Sequence, residues 1–78
     1  MEPITLTENQ RISFENKARE VLDLNATFEI VSVWKRKKSN CYLTIGNFED
    51  DKNKLWDITI RWSGFLMENG IEDLVIED

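Results

Sequence analysis

The 78-residue chain contains no histidine. That absence removes Ser-His and Cys-His nucleophile pairs, the usual neutral-pH general base and the commonest metal ligand. A single cysteine, Cys41, excludes an internal disulfide and a zinc site built on Cys and His. Proline occurs once, at Pro3, and the three glycines, Gly46, Gly64 and Gly70, all lie in the second half. No apolar run approaches the roughly 18 residues of a membrane span. The opening MEPITLTENQ lacks the basic and apolar regions of a secretory signal. There is no P-loop, no G-x-G-x-x-G, no repeat and no linker. These absences predict a reduced, cytoplasmic chain folded as one domain over 1–78, with no cofactor, no metal and no membrane contact.

What is present suits a small folded unit: 41% hydrophobic residues, 32% charged, three Trp, four Phe and one Tyr. A core of this size offsets chain entropy only narrowly, and small domains gain margin from disulfides, metals or association. With the first two excluded, a homodimer or a protein partner is expected.

Residues 7–22 (TENQRISFENKAREVL) predict a helix. Thr7 and Gln10 form a T-x-x-Q capping box, with Leu6 at the staple position. Phe14, Ala18, Val21 and Leu22 make one apolar stripe, while Arg11, Glu15, Arg19 and Glu20 face out and Glu15 can pair with Arg19. The remainder predicts strands at 27–35 (TFEIVSVWK), 41–46 (CYLTIG), 55–62 (LWDITIRW) and 73–77 (DLVIE). Lys37–Asn40 is short enough for a hairpin and Asn47–Lys54 reads as a loop. In 63–70 (SGFLMENG), Asn69-Gly70 signals a turn, and Ser63 fits the cap of one helical turn; a short helix or turn is expected. The fold class is therefore α+β: one N-terminal helix on an antiparallel sheet of three to four strands, a β-meander.

Strict alternation in 55–62 places Trp56, Ile58, Ile60 and Trp62 toward the helix, with Leu43 and Ile45 assigned beside them. The expected core is Phe14, Ala18, Val21, Leu43, Ile45, Ile58 and Ile60. In the first long strand Phe28, Ile30 and Trp34 share one face, yet Val31 and Val33 are apolar on the other. A strand apolar on both faces is normally covered on both, and one helix covers only one. A second, semi-apolar face carrying Val31, Val33, Tyr42, Thr44 and Thr59 is thus expected to meet a partner.

Charge supplies the other candidate. Residues 1–34 carry net −3 and residues 49–78 carry net −6, while Lys35-Arg36-Lys37-Lys38 concentrates +4 beside Trp34. A phosphorylated small molecule or nucleic acid is one reading of this knot, with Trp34 as stacking platform. A solubilising hairpin tip with Trp34 in the core is the other. The acidic remainder opposes an extended nucleic acid. Glu49-Asp50-Asp51 and the acidic end Glu72, Asp73, Glu77 and Asp78 offer a surface to a basic partner or a solvated loop. A calcium loop starting at Asp51 fails, because its sixth position is not Gly and its twelfth is Trp62. Cys41 is expected as a small core residue and Asn25-Ala26-Thr27 as a chance sequon.

The expected function is a non-enzymatic, protein-binding module of the inhibitor, immunity or phage-encoded type, by analogy of class alone. The alternative is a binder of phosphorylated small molecules, nucleotides or nucleic acid. The candidate binding residues are Trp34, Lys35, Arg36, Lys37, Lys38, Tyr42, Val31 and Val33, with Glu49, Asp50 and Asp51 as an acidic partner surface.

Overall fold

The computed structural model describes residues 1–23 and 27–77. Asn25 and Ala26 of the sequon, and Asp78 of the acidic end, lie outside them. The elements are β1 (Glu2–Ile4), α1 (Glu8–Val21), β2 (Phe28–Lys35), β3 (Cys41–Glu49), β4 (Leu55–Met67) and β5 (Gly70–Glu77). The strands form one antiparallel sheet in the order β1-β2-β3-β4-β5, with α1 packed on one face against β2 and β5. The α+β meander is as expected, but with five strands rather than three or four. The added strand, β1, has three residues, too few to show a period, and pairs with Val33–Lys35.

The helix starts where its capping box places it. Thr7 Oγ1 accepts from the Gln10 N–H at 3.2 Å, and Gln10 Oε1 accepts from the Thr7 N–H at 3.0 Å. Gln10 also donates from Nε2 to the Met67 carbonyl at 2.8 Å, fixing the start of α1 to the far hairpin. Val21, expected in the core, is 40% exposed; the following residue, Leu22, packs on the core instead. Glu15, expected to face out, is buried. Its carboxylate accepts from the Ile30 N–H at 3.3 Å and from Arg11 Nη1 at 2.8 Å, so Arg11 replaces Arg19 as its partner. Arg19 donates to Asn16. The carboxylate thereby satisfies a strand N–H that β1 is too short to reach.

β4 and β5 run further than expected. Residues 63–67 continue β4 because Ser63, Phe65, Leu66 and Met67 find partners on β5, so Ser63 caps no helix. The β4–β5 turn is Glu68-Asn69, one residue before the signalled Asn69-Gly70, since Gly70 already pairs with Met67 as the first residue of β5. β3 likewise continues through Asn47–Glu49, paired with Leu55–Asp57, leaving only 50–54 as the turn.

Register decides which face is which. Tyr42 pairs with Trp62 and Thr44 with Ile60, so these four share one side, the side under α1. Phe14 meets Trp62 at 4.9 Å and Phe28 at 6.2 Å between ring centroids, and Tyr42 stacks on Trp62 at 4.2 Å. The core is Phe14, Ala18, Phe28, Val33, Tyr42, Ile60 and Trp62, with Ile58 packed against it. Leu43 and Ile45 alternate to the opposite face, correcting their assignment to the core, and Tyr42 and Thr44 take their places. Trp56 has the right parity but lies 45% exposed.

β2 holds the feature that alternation alone misreads. Ile30 pairs with Gly46 and Ser32 with Ile45, leaving Val31 as an extra residue in a β-bulge. Beyond it the period inverts, so Val33 turns inward with Phe28 and Ile30, and Trp34 turns outward. The two-faced strand is a one-faced strand with a bulge in it.

Two outcomes test this assignment by urea denaturation. Ile60→Ala is expected to cost about 2–5 kcal/mol by leaving a core cavity, and Ile45→Ala less than about 1 kcal/mol as a surface change. Gly46→Ala is expected to cost about 1–3 kcal/mol by overpacking, because an added Cβ meets the Phe28 ring at 2.7 Å and the Glu29 carbonyl at 2.9 Å.

Candidate functional site

The helix-free face is built from every outward position of the five strands. Trp34 stands between Pro3 and Leu43, Ile45 between Ser32 and Thr59, and Leu43 next to Arg61, which faces Glu77. Cys41 lies opposite Ser63, which lies opposite Val75, and Phe65 lies opposite Glu72. Ile45 is 36% exposed, Phe65 49% and Val75 56%. Trp34 and Leu43 are half-buried. The result is two apolar groups, Trp34, Leu43 and Ile45 on β2–β3 and Phe65 and Val75 on β4–β5, with Arg61 and Ser63 between them and Glu72, Glu77 and Asp57 at the border.

An open second face is therefore present, but with different members from those expected. Tyr42 and Val33, both candidate binding residues, are buried under α1, and so is Thr44. Burial, with a smaller effect from the neighbouring Cys41 charge, raises the Tyr42 phenol above its ordinary value, so it stays neutral and packed. Val31 is 60% exposed because the bulge pushes it out of the pleat. Cys41, expected in the core, is exposed on the open face.

The basic knot is divided by the same alternation. Lys35 pairs with Glu2 and Tyr42 and shares their side, whereas the next residue, Arg36, takes the open face, with its N–H on the Cys41 carbonyl at 3.0 Å. Lys37 and Lys38 form the turn, Lys38 with a left-handed φ of 55°. Ser39 Oγ closes it, donating to the Arg36 carbonyl and accepting from the Cys41 N–H. Trp34 is half-buried on the open face, its indole N–H donated to Ser32 Oγ at 3.3 Å. The four charges do not converge. Instead Arg36 shares a face with Arg61, a residue whose outward position was legible in the 55–62 alternation but whose neighbour was fixed only by strand register.

Asp50 has a local role. Oδ1 accepts from the Lys52 and Lys54 N–H groups, each at 2.9 Å, and Oδ2 accepts from the Trp56 indole at 2.8 Å. Lys54 Nζ lies 4.2 Å from the Trp56 ring centroid. The Trp56 hydrogen bond foremost, then those from Lys54 and Lys52, hold the Asp50 carboxyl below its ordinary value. Its acceptor sites are occupied by the turn it organises, leaving Glu49 and Asp51 as the charges free of that turn network.

No helix among the described residues is long and apolar enough to cross a membrane. No protein-family model, curated protein or solved structure matches the chain.

The Asp50 network sets a pH dependence. Because its folded value is depressed, its contribution to the turn is whole above the unfolded carboxyl value of about 3.9 and is lost as pH falls through the folded value below that. The Trp56 indole N–H resonance is expected to titrate with a midpoint below the ordinary Asp value. Asp50→Asn should abolish that step in an NMR pH titration.

Proposed function

We propose that the protein is a non-enzymatic binding module that docks a protein partner on the open face of its sheet. One observation carries this reading: the one helix among the described residues is spent on one face, and the other displays Trp34, Leu43, Ile45, Phe65 and Val75. Exposed apolar clusters rimmed by polar residues mark interaction surfaces. Two separate aromatics on this face, Trp34 and Phe65, are of the residue types that dominate binding energy.

The partner proposed is a different protein rather than a second copy. With a formal charge of −5, two copies repel at distance, whereas a basic protein is steered toward the acidic rim. That partner offers an apolar patch to Ile45 and Phe65 and donors to Glu72 and Asp57.

The test is site-specific photo-crosslinking in the producing cells, with the reactive residue at position 45 or, as control, at position 21 on the helix. A discrete adduct of this chain with another protein from position 45 alone is the expected outcome. It should vanish on adding Phe65→Asp. An adduct of twice the chain mass would replace the partner by a second copy and overturn the heterologous reading. Equal adducts from both positions, or none from 45, would overturn the docking face.

A further inference from the structure

The open face also holds a concavity. A cavity of about 360 Å³ is lined by Arg36, Cys41, Leu43, Arg61 and Glu77 of that face, by Met1, and by Tyr42 and Trp62, whose rings lie on the covered side. Register explains the gathering. Met1 precedes Glu2, whose partner is Lys35, so Met1 falls beside Arg36, and Arg36 falls beside Cys41. Arg61 falls between Leu43 and Glu77 in the adjoining row. The two arginines thus come from strands two places apart, about 10 Å, and border the cavity from different sides.

Among the described residues neither guanidinium has an ion-pair partner. Both ion pairs there belong to Arg11, and Arg61 makes none even with Glu77 across the strand. Two planar, always-charged groups facing one concavity form the donor set that holds a carboxylate or a phosphate by paired, charge-assisted hydrogen bonds. Leu43 and Met1 make the same wall apolar. A volume near the lower end of ordinary ligand pockets fits a small molecule.

We propose that this cavity binds a compact organic anion, a phosphomonoester or carboxylate carried on a small apolar body. The anionic group sits between Arg36 and Arg61 and the body lies on Leu43. Glu77 disfavours a second negative charge at its own wall. The net −3 of residues 1–34 and net −6 of residues 49–78 disfavour a long polyanion, whose further phosphates would meet that field. The site goes beyond the docking face, since it needs no protein partner and uses Arg36 and Arg61 rather than Ile45 and Phe65.

The experiment is an amide NMR titration of the whole chain with phenyl phosphate, and in parallel with benzoate and with inorganic phosphate. The expected result is saturable shifts at Arg36, Cys41, Leu43 and Arg61 that weaken as salt rises. Phenyl phosphate should bind several-fold more tightly than inorganic phosphate, and the benzoate arm tells which anionic group the arginines prefer. Arg36→Glu with Arg61→Glu should weaken binding at least about tenfold, and Lys37→Glu with Lys38→Glu should leave it within about twofold. Both arginines are exposed, and thermal melts confirm that the variants fold; Arg61→Gln serves if the reversal does not. Non-saturating shifts, or shifts abolished by the lysine reversals and kept in the arginine variants, would overturn the site. Equal affinity for phenyl phosphate and inorganic phosphate would overturn the apolar body.

Discussion

Trp62 is the side chain on which the packing depends. It is 1% exposed and the largest fully buried group in the described chain. Phe14 approaches it from the helix, Tyr42 stacks on it within the sheet, and its indole N–H is donated to Thr44 Oγ1 at 2.7 Å. An indole so deeply buried needs that acceptor, because an unmet donor there would cost about 1–3 kcal/mol. Thr44 is held inward for this bond, and its partner Ile60 follows. Once Trp62 commits one side of β4 to the helix, strict alternation commits the other side to solvent. A helix of 14 residues spans about 21 Å, close to the width of five strands. It covers one face of the sheet and has nothing left for the second.

The bulge at Val31 then decides what the second face contains. In an unbroken strand Trp34 would point under the helix with Phe28 and Ile30, and Val33 would be on the surface. The extra residue exchanges them. The core receives a β-branched side chain that fits beside Thr44, and the open face receives an indole beside Leu43. The edge of β2 near the bulge is not left bare, because Glu15 accepts the Ile30 N–H from above. A buried helix carboxylate, tied to Arg11, stands in for a neighbouring strand. An edge N–H met in this way no longer offers a template for further pairing.

The sequence showed local devices and missed long-range ones. The Thr7–Gln10 capping box, the period-2 run at 55–62 and the turn near Asn69-Gly70 are each contained within a few residues, and each was readable, the turn to within one residue. Leu43 and Ile45 were misplaced because a strand's alternation says which residues share a face and not which face is covered; that came from the pairing of Tyr42 with Trp62. Glu15 was misplaced because its partner, the Ile30 N–H, is a backbone group of another element, which no side-chain pattern reports. Trp34 and Val33 were misplaced by a single inserted residue, which inverts the phase of every position after it. The basic run misled for a related reason: four consecutive charges are concentrated in sequence, but consecutive strand residues diverge in space. The proposed anion site instead joins Arg36 with Arg61, 25 positions away, through the intervening strand.

The apolar residues and the arginine cavity occupy one face, and Leu43 belongs to both. A protein partner seated on Ile45 and Phe65 and a small anion seated between Arg36 and Arg61, as proposed, would therefore act on each other's affinity. An anion that neutralised the two guanidiniums would remove the positive charge that Arg36 and Arg61 give that face. It would then favour a partner apolar there and disfavour one that reaches in with a carboxylate of its own. Linkage makes the effect reciprocal, so the factor by which the anion changes partner affinity is the factor by which the partner changes anion affinity. On these two proposals, Arg36 and Arg61, which have no ion-pair partner among the described residues, would give the open face its chemical selectivity. The apolar residues alone would accept many surfaces, whereas the same residues with an anion-sized positive recess would accept few.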